Sequence, residues 1–306
     1  MAMKIKNISG SGIFNLYRSK HYQFVPKHEP CNPDSVSLLQ EFFNKYSEVF
    51  VLTGAGVSTE SGLPDYRSKD VGLYDRSPNR PVLYKDFVSK IEVRKRYWAR
   101  NFAGWKLFSS TQPNEVHKFL SLWEQKESLH WLVTQNVDRL HHKAGSQNVT
   151  ELHGTSYLVK CLSCSNLFSR NLFQVILREL NPDFNVESTE IAPDADVHLN
   201  PELTKSFNVP DCEKCGGILK PDVVFFGENV PKEKVFELYE KVEKSDAVLV
   251  LGSSLEVVYS GYRFVLMASE LKKCIGIINI GPTRADKLAT FKITARCGDI
   301  LPKIKL

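Results

Sequence analysis

Six short apolar runs, each closed by a glycine or a knot of polar residues, constrain this chain more than any other feature. They read "VFVLTGAG", "LHWLVTQN", "VTELHG", "DVVFFGE", "AVLVLGSS" and "IGIINIG". A strand buried on both faces loses the polar alternation of a half-exposed one and becomes a continuous apolar run. Helix-like segments lie between several of them, at about 34–46, 114–126, 232–244 and 258–272. Strand–helix alternation of this kind predicts an α/β fold, a Rossmann-like parallel sheet with helices on both faces. Ligands of such sheets bind beyond the carboxyl ends of the strands. The unusual polar clusters of this sequence fall at those ends, which predicts one site.

The first run opens the stretch "TGAGVSTESGLPDYRS", residues 53–68. Gly54 and Gly56 would let backbone N–H groups approach a pyrophosphate, with a helix dipole behind them from Ser58 onward. The dinucleotide fingerprint wants a third glycine at position 59, where Thr59 stands. Asp65, Tyr66 and Arg67 follow, and a hydride-transfer domain has no evident need of them. "GSS" (Gly252, Ser253, Ser254) and "NIG" (Asn279, Ile280, Gly281) suit phosphate and ribose, or serve as plain caps and turns. Gln135, Asn136 and Asp138 follow the second run, where amides and a carboxylate suit a carboxamide and its ribose, or cap a helix. His153 ends the third run. A lone histidine is more often structural, but beside a ribose pocket its ordinary pKa of about 6.5 suits a general base. His141 and His142 are expected on a helix surface.

Four of the seven cysteines form two Cys-x-x-Cys knuckles, Cys161 with Cys164 and Cys212 with Cys215. Two knuckles predict one structural zinc, because four thiolates close the tetrahedral shell and leave no place for water. A redox pair is the rival reading. The composition, 42% apolar and 25% charged, is that of an ordinary globular chain and suggests no membrane span. The net charge of +5 gathers at the start: residues 1–28 hold Lys4, Lys6, Arg18, Lys20 and Lys27 and no acid. That reads as an organelle-targeting signal or as a basic tail. Outside it no clustered basic face appears, so no nucleic-acid partner is expected.

In chain order, "GAGVSTESGLPDYRS", "TQNVDRLHHKAG", "ELHG", the two knuckles, "LKPDVVFFGE", "VLGSSLEV" and "INIG" resemble the sirtuin family over roughly residues 33–300. "YWARNFAGW", "KPDVVFFGE" and "NIGPTRADKLA" are most similar to its mitochondrial class, which implies a place in the mitochondrial matrix. The resemblance implies an NAD-dependent protein-lysine deacylase that breaks the nicotinamide–ribose bond and releases nicotinamide and O-acyl-ADP-ribose. Its partners would be acylated-lysine proteins, met by a monomer. Asn136 would orient the ribose, Asp138 hold the carboxamide, and His153 take a proton from a ribose hydroxyl. Ala55, Val137 and Cys297 join the implied cofactor contacts, and Asp65, Tyr66 and Arg67 fall in a mobile cofactor loop. Segments 223–228 (with Val224, Phe226 and Gly227) and 254–258 would clamp the substrate strand.

The implied organisation is a basic tail at 1–32 and a Rossmann-like NAD-binding domain at 33–158 and 220–306. The latter carries a helical cofactor-loop insertion at about 66–110. A smaller zinc-ribbon/helical domain occupies 159–219, with a long acidic insert at 181–212. That insert either reaches the active site or is a surface excursion. Tyr97 and Arg100 have a Tyr-x-x-Arg spacing similar to the anionic-acyl pocket of a related desuccinylase, which implies glutaryl-type or other non-acetyl chains. The competing reading is a solvated basic helix face, since Arg94, Lys95 and Arg96 are neighbours. Three other functions compete: mono-ADP-ribosyl transfer, sensing without turnover, and hydride transfer. The missing third glycine and the knuckles argue against the last.

Overall fold

The computed structural model describes residues 23–77, 80–186, 188 and 191–306, the side chains of 258 and 259 excepted. Lys4, Lys6, Arg18 and Lys20 of the basic tail lie outside the described residues. Residues 23–32 do not behave as a tail. Phe24 is buried beneath the Arg76 guanidinium, 4.7 Å from its ring centroid, and His28 Nε2 lies 3.1 Å from Asp299 Oδ2.

The strands are β1 (Val49–Thr53), β2 (Leu129–Thr134), β3 (Val149–Glu151), β4 (Gly154–Cys161), β5 (Leu167–Ser169), β6 (Leu219–Val223), β7 (Ala247–Leu251), β8 (Cys274–Ile278) and β9 (Phe291–Ile293). Six of them form a sheet in the order β3-β2-β1-β7-β8-β9, and all its pairings are parallel. Alternate residues of β1 explain the apolar runs. Val49 and Val51 face the helices Pro33–Lys45 and Glu115–Gln125 through Leu39, Phe42, Leu120 and Trp123. Phe50 and Leu52 face the helices Lys232–Lys244 and Arg263–Glu270 through Leu238, Val242, Phe264 and Ala268. Both faces are covered, so neither side of a strand can be polar.

Capping residues set the helix starts. The Asn32 side chain accepts from Asp34 N ahead of Pro33, and Asn114 forms a capping box with His117. The helix expected at 258–272 starts later, at Arg263, because Val258–Tyr262 form a wider π-helical turn. No α-helix begins at Ser58. Two 3-10 turns, Ala55–Val57 and Thr59–Ser61, end at the left-handed Gly62, so no helix dipole backs the glycine turn.

The "DVVFFGE" run is the exception among the six. Its first residues complete β6, which runs antiparallel to β4 in a second sheet of order β5-β4-β6. The chain then turns away: Glu228 accepts from Phe225 N through its carboxylate, and Gly227 adopts φ 84°. This second sheet packs with the helices Ile91–Ser110 and Arg170–Leu180 around Trp98, Phe102, Phe173 and Phe207.

Candidate active site

The parallel sheet reverses its strand order at β1, with β2 on one side and β7 on the other, and the crevice opens there. A cleft of about 1010 Å³ occupies it. The glycines at its base are required by close packing. A Cβ on Gly54 would sit 2.7 Å from Ser253 Cβ, and one on Gly56 would sit 2.7 Å from the Gly252 carbonyl oxygen. Gly54 N and Gly56 N donate to Leu251 O and Gly252 O, which locks the turns after β1 and β7 together.

The polar groups after β2 are tied into this base. Asn136 Nδ2 donates to Gly54 O (3.0 Å) and Ser58 Oγ (3.1 Å), and Ser58 Oγ donates to Asp138 Oδ2 (2.7 Å). Gln135 Nε2 donates to Ser253 Oγ at 2.8 Å. Burial raises the Asp138 carboxyl above its ordinary range, against the hydrogen bonds from Leu140 N and Ser58. Ala55, Val137, Ser254, Asn279, Ile280, Gly281 and Cys297 also line the cleft. Cys297 is buried and its thiol is pushed up to about 12, so it is an inert wall rather than a nucleophile.

Asp65, Tyr66 and Arg67 also line the cleft. The Asp65 carboxylate closes its own turn by accepting from Arg67 N (2.9 Å) and Ser68 N (2.7 Å). The Tyr66 ring packs on Phe226, with centroids 6.3 Å apart. Pro26 and Lys27 reach the same lining from the N-terminal segment, which the sequence reading did not foresee.

His153 stands where the two sheets meet. Its Nδ1 is 2.7 Å from Gln135 O, its Nε2 is 2.5 Å from Ser260 Oγ, and its carbonyl accepts from Val224 N at 2.8 Å. Burial, opposed by the bond to Gln135 O, lowers its pKa to about 4. No side chain fits at the next residue. A Cβ on Gly154, which has φ 76°, would overlap the Asp222 carbonyl oxygen. Val224, Phe226 and Gly227 line the cleft beside it. Phe226 bridges to Leu83, and its carbonyl accepts from Tyr84 N.

Tyr97 and Arg100 share the helix Ile91–Ser110 but part company. Tyr97 lines the cleft; Arg100 does not. Arg100 Nε–H donates to Val197 O at 2.6 Å, and Asp196 Oδ1 lies 2.9 Å from the same nitrogen. Arg100 is buried, so at this position the helix does not present the solvated basic face that was the competing expectation. Its partners come from the long insert, whose Pro193, Asp194 and Asp196 reach the cleft wall. His141 corrects another expectation. It is buried, with Nε2 3.0 Å from Thr53 Oγ1 and its ring 4.7 Å from that of His117.

The four knuckle sulfurs all lie within 4.8 Å of one another, with Cys161–Cys215 at 3.4 Å and Cys164–Cys212 at 3.8 Å. A tetrahedral zinc with bonds of about 2.3 Å separates its sulfurs by about 3.8 Å, so this donor set fits zinc. The cluster draws one cysteine pair from the end of β4 and the turn after it, and the other from the segment just before β6. Both lie at one end of the second sheet and outside the cleft lining.

Comparison with known proteins points the same way as the geometry. Residues 54–259 match the sequence model of the Sir2 family. The chain is 53% identical over 282 residues to the "NAD-dependent protein deacylase Sirt4" of Drosophila melanogaster, covering 92% of this chain and 90% of that one. It is likewise 53% identical to the Homo sapiens "NAD-dependent protein lipoamidase sirtuin-4, mitochondrial", covering 92% and 89%. Among solved structures it resembles "Sir2-p53 peptide-NAD+" with a TM-score of 0.68 and 28% identity, over 88% of this chain and 96% of that one.

Proposed function

The chain belongs to the Sir2 family and is an NAD-dependent protein deacylase, and from that premise we propose how its own residues divide the work and which acyl chains it takes. The substrates are proteins carrying acylated lysine. The observation that carries the reading is the meeting, in one cleft, of the glycine turn, the Asn136–Ser58–Asp138 chain and His153. NAD, when bound, supplies a ribose carbon from which nicotinamide departs and a hydroxyl that accepts the acyl group.

The residues fit that group. Beside the interlocked glycines, Ala55, Ser253 and Ser254 line the cleft and would present backbone N–H and hydroxyl groups to its phosphates. Asn136 has its amide nitrogen committed to Gly54 and Ser58, which leaves the amide oxygen to orient a ribose hydroxyl. Asp138, fixed by Ser58, holds the carboxamide. His153 Nε2 takes the proton of a ribose hydroxyl. Tyr66 and Arg67 cover the site and exclude water. Val224 and Phe226 on one side and Glu256 on the other offer strand edges to the substrate backbone.

For the acyl group we infer chains longer than acetyl, with the glutaryl type among them. Tyr97 lines the pocket, and a substrate carboxylate can take the place of Asp196 against Arg100. The relatives' names support a mitochondrial location, and the matrix is the reading we propose, with the enzyme acting as a monomer on protein and not on nucleic acid. We assign residues 33–158 and 220–306 to the NAD-binding domain and 159–219 to the zinc-binding one. Incubating an acyl-peptide panel with NAD and reading the products by mass spectrometry tests the function. Free lysine peptide with O-acyl-ADP-ribose is the expected outcome, and His153→Ala should lose about 10²–10⁴-fold in rate while still binding NAD. ADP-ribose attached to protein, with the acyl-lysine intact, would refute deacylation.

A further inference from the structure

Building on His153 as the general base, we propose that Ser260 is the hydroxyl that hands His153 its proton and that fixes which ring nitrogen receives it. The Ser260 Oγ lies 2.5 Å from Nε2 while Nδ1 lies 2.7 Å from Gln135 O. A carbonyl oxygen only accepts, so Nδ1 carries a hydrogen. In the neutral ring Nε2 is then a lone pair, and Ser260 donates to it. Ser260 is 1% exposed and yet, like the half-buried His153, lies on the cleft lining.

The backbone around Ser260 is built to hold it there. It sits in the π-helical turn Val258–Tyr262, whose extra residue per turn moves Ser260 off the course of the following helix. The next residue, Gly261, packs flat on Gln135: a Cβ there would lie 3.1 Å from Gln135 Cδ and 3.0 Å from Leu52 Cδ2. One turn thus braces both partners of the imidazole, Ser260 directly and Gln135 through its side chain.

The electrostatic surroundings keep the ring neutral until it is needed. Burial is the largest effect, and Lys234 on the helix Lys232–Lys244 also disfavours protonation. Lys234 Nζ is bonded to Glu151 O at 2.8 Å, and Asp222, Glu151 and Glu237 are the acids around it. The ring is therefore neutral at pH 7, the form to which Ser260 donates. In the transfer a cleft hydroxyl gives its proton to Ser260 Oγ as the Ser260 proton passes to Nε2. The serine is restored, the ring becomes an imidazolium bonded to Gln135 O, and the donor oxygen is left negative for its attack on the acyl carbon.

Ser260→Ala, Ser260→Thr and His153→Ala test this. In NAD-free enzyme, nitrogen-15 NMR of the histidines should show His153 as the Nδ1–H tautomer. Its titration midpoint should rise in Ser260→Ala, because a bond to the neutral form has been removed. Turnover of an acyl-peptide by Ser260→Ala should fall about tenfold or more with KM for NAD within about twofold, and its solvent isotope effect should shrink. Ser260→Thr should restore both. An unchanged titration with wild-type kcat, or a faster Ser260→Ala enzyme, would overturn the proposal and leave Ser260 a spectator or an obstruction. Turnover retained by His153→Ala would instead overturn the base assignment, and the relay with it.

Discussion

Asp196 Oδ1 lies 2.9 Å from Arg100 Nε, and each of the two side chains is only 10% exposed. The cation that the Tyr-x-x-Arg spacing offered to a substrate is already met by an acid from the insert. On the proposed reading, a substrate carboxylate would reach Arg100 only by displacing Asp196.

Asp196→Asn should therefore release Arg100 and favour anionic acyl chains. A hydrogen bond to a charged group contributes about 1.5–3 kcal/mol, or roughly ten- to a hundredfold in kcat/KM. We expect glutaryl-lysine to gain on acetyl-lysine by about tenfold in Asp196→Asn and to lose selectively in Arg100→Ala. Kinetics on both peptides check this, and parallel changes for the two would remove Arg100 from acyl recognition.

The hold of the insert should depend on pH. Burial raises the Asp196 carboxyl to about 7, outweighing the opposing pull of Arg100, and Asp194 is raised as well. A folded-state pKa above the unfolded one stabilises at pH below the unfolded value, and that stabilisation is lost as pH rises through the folded one. Amides at 192–197 should exchange more slowly at pH 5 than at pH 8 after correction for intrinsic rates. In Asp196→Asn the difference should diminish, and a wild-type insert indifferent to pH would contradict the burial argument.

Gly104 offers a way to move the insert without touching the zinc cluster. The Ala195 carbonyl oxygen occupies the place of a Cβ on Gly104, beside Val197 Cγ1. Gly104→Leu should push residues 191–198 off the helix, alter kcat or KM for acyl-peptide several-fold and leave the metal content unchanged. Folded protein with wild-type kinetics would make the insert a surface excursion.

Zinc should act on stability alone. Structural zinc contributes on the order of 10 kcal/mol to local folding. Cys161→Ser or Cys212→Ser should give destabilised or insoluble protein, and elemental analysis of active enzyme should find one zinc per chain. Active protein without stoichiometric zinc would defeat the assignment.

Local pattern carried the fold further than it carried the site. The runs that became β1, β2, β7 and β8 were legible because burial on both faces favours apolar residues along a strand, whereas β3 is a half-buried edge strand that keeps Thr150 and Glu151. "DVVFFGE" has the same composition, and nothing local says that Glu228 and Gly227 turn it out of the parallel sheet. The cofactor turns were legible because glycine and amide residues are needed wherever backbones touch. The partner of Arg100 was not legible, because Asp196 is far away in sequence. Likewise His141 reads as a surface residue until the helix Glu115–Gln125 covers it. Ser260 left no signal, since its importance comes from a π-helical turn and the place of His153 across the cleft.

The peptide joining His153 to Gly154 touches the second sheet so closely that Val224 N bonds to its carbonyl and Asp222 O fills the missing side chain. That seam can serve as a pivot. If the two sheets swing apart, the outer rim of the cleft opens widely, while the distance from histidine to substrate strand, measured at the axle, hardly changes. A dinucleotide can then enter and its spent half leave while the peptide stays aligned with the base. Open and closed crystal forms should superpose at residues 153 and 224 and diverge with distance from them, whereas a changed separation at those two residues would place the axle elsewhere.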